Sequence, residues 1–210
     1  MVPTVMWLGH ASFKITGSKT IYIDPWKIGG NPHDADAILI SHNHYDHFSV
    51  FDIKRLLTKN TLIFGPRSVI DELQQGNPFK PGDHASGAQV EIIGIPAYNP
   101  KSPFHPRSKN WLGFLLSMDG KTIYYAGDTD IIPEMYKLPP IDLVLIPVSG
   151  IHTLTPKLAI KTCDIIRPAY AIPYQWGDIL GTPADAEFFC EYIRSAKPRK
   201  LEPYETFTFP

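Results

Sequence analysis

The sequence predicts an α/β fold. Three observations point there. Short alternating stretches separated by turn residues open the chain, and strand-like and helix-like stretches then take turns. An apolar run over 37–40 also breaks into a polar loop dense in histidine.

Taken in order, residues 5–8, 12–15 and 20–23 alternate like strands, with Gly9-His10 and Gly17-Ser18 as turns. The apolar run 37–40 is a fourth strand. Ser49 can accept from the first helical amides, so a helix is predicted to about residue 59, with Ile53, Leu56 and Leu57 on one face. Residues 61–64 read as strand, and Pro66, preorganised for a first helical turn, opens a helix through residue 73. Three glycines and two prolines make 76–87 a loop. A strand over 90–95 and a proline-dense loop over 96–106 follow. Asp119-Gly120, a strong hairpin signal, joins strands 112–118 and 122–126. The nearly unbroken apolar run 141–148 predicts a strand buried on both faces. A helix over 156–166, a short strand over 170–173 and a helix over 183–195 come next. The last helix should bury Phe188, Phe189, Tyr192 and Ile193. Residues 197–200 read as a solvated basic turn and 206–209 as a closing strand.

At 210 residues, 43% hydrophobic and 20% charged, the chain fits one globular domain over 1–210. A formal net charge of −1 offers no basic field for nucleic acid, and no apolar run reaches the roughly 20 residues that span a bilayer. The N-terminus lacks a basic region before an apolar one, and Cys163 and Cys190, the only cysteines, form no C-x-x-C pair. A cytoplasmic protein acting on a small molecule is expected; oligomeric state is left open.

Three of the 8 histidines fall within six positions, as His42-x-His44-x-Asp46-His47. Neutral imidazoles bind zinc or ferrous iron through nitrogen, and a carboxylate adds a harder ligand. In an extended segment His42 and His44 point the same way, while Asp46 and His47 follow a turn, so each pair can grip its own ion. Downstream, Gly127-Asp128-Thr129 ends a hairpin strand. Its carboxylate has two oxygens for two cations, and its glycine permits close backbone approach.

These two motifs resemble the signature of the metallo-β-lactamase superfamily. Gly9-His10-Ala11-Ser12 and Ile23-Asp24-Pro25 resemble stretches of its lactonase-like branch, the relatives of ascorbate-6-phosphate lactonase and N-acyl-phosphatidylethanolamine phospholipase D. The resemblance implies an αββα sandwich of two mixed sheets with helices on the outer faces. It implies a first metal at His42, His44, His105 and Asp128, and a second at Asp46, His47 and the shared Asp128. Zinc is the expected ion, one or two per chain, with manganese or iron as alternatives. His10 is either at the rim of the site or a turn residue, and Asp24 can receive a ligand imidazole's free N–H. His105 is preferred over Asn99 as the third histidine's counterpart because prolines flank it.

The pattern breaks once. Where relatives carry a last histidine, this chain has Gln175, in Ile172-Pro173-Tyr174-Gln175-Trp176-Gly177. Either the second site is weak or His152 substitutes. The implied function is hydrolysis of an ester, lactone or phosphodiester by a metal-activated water that Asp46 could orient. Lys101, Arg107 and Lys109, with aromatic walls from Phe104, Trp111, Tyr174 and Trp176, suggest a small anionic substrate. The alternative is a non-catalytic metal-binding or small-molecule sensor protein.

Overall fold

A computed structural model describes residues 2–87 and 89–210. The opening hairpins are β1 (Thr4–Gly9), β2 (Ser12–Thr16) and β3 (Thr20–Ile23), followed by β4 (Ala37–Leu39). Helix α1 (Val50–Leu56), β5 (Leu62–Gly65), α2 (Arg67–Leu73) and β6 (Asn77–Pro78) come next. The second half runs through β7 (His84–Gly87), β8 (Val90–Pro96), β9 (Leu112–Met118), β10 (Lys121–Tyr125) and β11 (Leu143–Pro147). It closes with α3 (Pro156–Ile166), β12 (Tyr170–Tyr174), α4 (Pro183–Tyr192), β13 (Lys197–Pro198) and β14 (Thr206–Thr208).

The strands form two sheets, ordered β14-β1-β2-β3-β4-β5-β6 and β13-β12-β11-β10-β9-β8-β7. Each sheet is antiparallel over its first half and parallel where longer crossovers intervene, from β3 to β6 and from β10 to β13. The side-chain period of two then sorts the layers. Leu39 joins Val5, Trp7 and Phe13 in the large core with Phe114, Tyr125 and Leu145 of the second sheet. Its neighbours Ile38 and Ile40 turn the other way, onto Ile53 and Leu56 of α1 and Val69 and Ile70 of α2. On the far side, Ala159 and Cys163 of α3 and Phe189 of α4 cover the second sheet. This is the expected αββα sandwich.

Several expectations are corrected. Helix α1 stops at Leu56, where Leu57 turns extended, and α4 stops at Tyr192, with Ile193 extended. Within α4 Phe189 is buried, but Tyr192 is 50% exposed and lies against half-buried Phe188. The supposed loop 76–87 carries two edge strands, β6 and β7. Their side chains are mostly exposed, so no apolar alternation marks them in the sequence. Pairing of Lys197 with Tyr170 likewise makes a short edge strand of the basic turn.

The parallel strands point their C-terminal ends the same way, and the histidine loop leaves one of them. In open α/β sheets this end collects ligand-binding loops, because connections there lead from strand to helix. Among the described residues no helix is long and apolar enough to cross a membrane.

Candidate metal centre

Asp24 is the hub on which the histidine loop is built. It follows β3, at a backbone φ of 43°, and is fully buried. Its Oδ1 accepts from the Ser41 amide at 2.6 Å. Its Oδ2 accepts from the Ser41 hydroxyl, from Tyr125 Oη at 2.7 Å and from His47 Nδ1 at 2.7 Å. That donation keeps Nδ1 of His47 protonated and turns its Nε2 towards Asp128. Because the Ser41 hydroxyl donates to Asp24, it accepts from His42 Nδ1, 2.8 Å away. His42 therefore presents a bare Nε2.

Two clusters result. In the first, His42 Nε2 lies 3.1 Å from His44 Nδ1, and the rings of His44 and His105 are perpendicular at 4.9 Å. Ligand atoms of His42, His44 and His105 all lie within 4.8 Å of one another. The buried indole of Trp111 packs against all three rings. Asp128 Oδ2 faces this cluster, 3.6 Å from His105 Nε2 and 3.9 Å from His42 Nε2. Burial pushes the His105 pKa down to about 4, against the pull of Asp128, and holds that of His42 well below the ordinary imidazole value. Both are neutral nitrogen donors at pH 7, the form a cation requires. Three converging imidazoles beside a carboxylate fit a tetrahedral zinc-type ion.

In the second cluster His10, Asp46 and His47 converge. His10 Nε2 is 2.9 Å from Asp46 Oδ2, and His47 Nε2 is 3.7 Å from the same oxygen. Burial raises the Asp46 pKa, but hydrogen bonding from His10 and the neighbouring imidazole charge outweigh it and bring it down to about 2. For His47, burial opposes the charge, yet Asp128, Asp24 and Asp46 together push its pKa up to about 9. Asp128 Oδ1 faces this side, 3.3 Å from His47 Nε2. The two oxygens of Asp128 thus divide between the clusters.

Asp128 is placed by a backbone that only glycine allows. Gly127 has φ of 67°, and a Cβ there would come within 2.5 Å of the Leu112 carbonyl oxygen. Tyr174 Oη donates to the Gly127 carbonyl at 3.0 Å and stacks on Tyr125, tying this turn to Asp24. Sequence reasoning missed Ser41 and Tyr125 and took Tyr174 for a cleft wall. Their proximity to the motifs, one residue before His42 and two before Gly127, was the available signal.

The remaining expected residues sort clearly. The Asn99 side chain is engaged by backbone: it donates to the His152 carbonyl at 2.8 Å and accepts from the Lys101 amide at 2.9 Å. Its own amide donates to the His105 carbonyl at 2.8 Å, which folds the proline-rich loop back and delivers His105 to the cluster. His152 joins neither cluster; its Nδ1 is 3.0 Å from Ser102 Oγ and its ring packs on Phe104. Gln175 Nε2 lies 2.7 Å from Asp128 Oδ1 and 3.1 Å from His47 Nε2.

The residues expected to meet an anionic substrate find partners near by. Lys101 lies 3.8 Å from Asp130, and Arg107 pairs with Glu134 at 2.8 Å. Lys109 lines a separate surface hollow beside Arg67 and Lys80. Trp176 is buried against Trp7, its Nε1 donating to the Pro173 carbonyl. The cleft over the clusters, about 440 Å³, is instead walled by Tyr45, Phe104, Ile151 and Leu180, with His44, Asp46, His105 and Asp128 at its floor.

Residues 4–175 match the family described as the β-lactamase superfamily domain. A UPF0173 metal-dependent hydrolase of Thermococcus onnurineus is 34% identical over 90% of this chain and 91% of its own length. The chain belongs to the metallo-β-lactamase superfamily, in the UPF0173 metal-dependent hydrolase family. Among solved structures of this superfamily fold, Igni18, a metallo hydrolase of Ignicoccus hospitalis, superposes with a TM-score of 0.83 at 24% identity, covering 100% of this chain and 99% of that one. CmlA, a diiron β-hydroxylase of Streptomyces venezuelae, gives 0.78 at 16% identity, over 99% of this chain and 54% of its own.

Proposed function

We propose that this chain is a metal-dependent hydrolase of a small carboxylic ester or lactone that carries an uncharged, apolar group. The observation that carries the reading is the cleft: four apolar side chains above a floor of histidines and carboxylates, with no lysine or arginine lining it. A phosphodiester or other anion would meet Asp46 and Asp128 without a compensating side-chain cation.

The residues divide the work. His42, His44, His105 and Asp128 Oδ2 would hold the ion, and zinc suits three imidazoles and one carboxylate. When bound it supplies Lewis-acid polarisation of the substrate carbonyl and acidifies water towards neutrality. Asp46 reaches the cleft as an ionised carboxylate, aligned by the His10 hydrogen bond. It orients the attacking water and accepts its proton. Phe104, Ile151 and Leu180 receive the apolar group and exclude water around the reacting carbonyl.

The test is a substrate panel with zinc- or manganese-supplied protein: uncharged aryl esters and lactones of increasing alkyl length, matched carboxylate-bearing esters, and a diaryl phosphodiester. Rising kcat/KM with chain length is expected, up to a few-fold per methylene at about 0.8 kcal/mol each. Preference for the anionic members would overturn the substrate class. No metal-dependent turnover of any member would remove the hydrolase reading's support.

A further inference from the structure

The second cluster contains an arrangement that a count of ligand types hides. Gln175 stands on the loop after β12 at φ of 60°, its amide N–H held by the His10 carbonyl at 3.1 Å. Its side chain ends between Asp128 and His47. The carboxamide nitrogen carries the hydrogens that Asp128 Oδ1, 2.7 Å away, accepts, and His47 Nε2 lies 3.1 Å from the same nitrogen. The reversed amide would put its carbonyl oxygen 2.7 Å from a carboxylate oxygen. The nitrogen orientation is therefore set by its neighbours, even though it leaves Gln175 Oε1 buried without a partner.

A cation between Asp128 and His47 would need the Asp128 Oδ1 lone pair that this N–H already takes. A histidine at position 175 would add a lone pair pointing inward; glutamine, of similar reach, points hydrogens inward instead. His10 does not restore the missing donor, since its Nε2 is engaged with Asp46 Oδ2. We propose that the Gln175 carboxamide occupies the place of a second cation, so that each chain holds a single metal ion, at His42, His44, His105 and Asp128. The partial positive charge of the amide holds Asp128 Oδ1, which leaves Oδ2 turned towards the first cluster. Asp46 is left free of a metal, as the Proposed function, on which this inference rests, requires of a base.

The experiment titrates chelator-treated full-length protein with Co²⁺, following visible absorption, and counts zinc per chain by elemental analysis after dialysis. Saturation at one equivalent is expected for the wild type and at two for Gln175→His. Two equivalents in the wild type would overturn this inference alone. No bound metal in the wild type would remove the metal-centre reading as well, so the two failures are distinguishable. A Gln175→His chain that folds, by its Tm and circular dichroism, yet still saturates at one would also overturn it. If that variant does not fold, the wild-type count decides.

Discussion

The two clusters on either side of Asp128 are built from the same kinds of residue and differ in what they point inward. On the Oδ2 side, His42, His44 and His105 converge as imidazoles that burial keeps neutral. On the Oδ1 side, Gln175 directs a hydrogen at Asp128 beside His47, and His10 bonds the nearby carboxylate. Five of the six residues in the two three-membered clusters are histidines, so composition would rate the sites as near equals. Tautomer and hydrogen-bond direction separate them: one side is a cage for a cation, and the other is already filled by donors.

The largest expected effect comes from breaking the cage. In His42→Ala/His44→Ala the tight metal should be lost, well beyond the roughly 10–100-fold weakening that removal of an outer partner causes. Metal binding adds about 4 kcal/mol to folding stability at a free concentration 1,000 times Kd. The zinc-dependent rise in Tm, about 8–16 °C at the usual 2–4 °C per kcal/mol for a chain this long, should vanish with it. Elemental analysis and calorimetry with and without chelator check this. A double variant that retains its ion would put the metal elsewhere.

The other side should fail differently. Asp46→Asn should keep the metal and lower kcat by about 10²–10⁴-fold, the usual weight of a general base. His10→Ala, which frees Asp46 from its hydrogen bond, should cost less and act through the same step. Equal loss of metal from Asp46→Asn and from the cage variant would erase the distinction between the clusters.

Much of this was legible in residues and little in directions. The run ending at Ile40 and the spacing of His42, His44, Asp46 and His47 announced a strand exit loaded with ligands, and alternation along the opening hairpins announced the sheet. The edge strands β6 and β7 were invisible because exposed strands need no apolar alternation. His105 could be preferred over Asn99, but the reason it arrives, an Asn99 amide bonded to the His105 carbonyl, is a tertiary closure. Charge on the proline-rich loop was legible, but its direction was not: Arg107 faces Glu134, 27 residues on, and a sequence does not say which way a long side chain turns. The polarity of Gln175 is set by Asp128, 47 positions upstream.

The smallest expected effect is on the pH dependence of the metal-free protein, and it reads the two sides separately. An unfolded chain's histidines titrate near 6.5. His105, brought by burial to about 4, and His42, held by burial well below the ordinary imidazole value, stay neutral in the fold where their unfolded counterparts take up protons. Between about pH 6.5 and 4 the unfolded state therefore binds more protons, and stability falls as pH drops. His47 has the opposite sign. Burial alone would lower it, but the carboxylates around it lift it to about 9. Its contribution is complete below pH 6.5 and is lost as pH rises through 9. The Tm of chelated protein should thus peak near pH 6.5 and decline on both limbs. His105→Gln should flatten the acid limb and leave the alkaline one, while His47→Gln should do the reverse. Zinc should raise Tm most above pH 6.5, and the gain should shrink on acidification as protons compete for the imidazole lone pairs. An alkaline limb that survives unchanged in His47→Gln would show that the ring of carboxylates around that histidine does not set it.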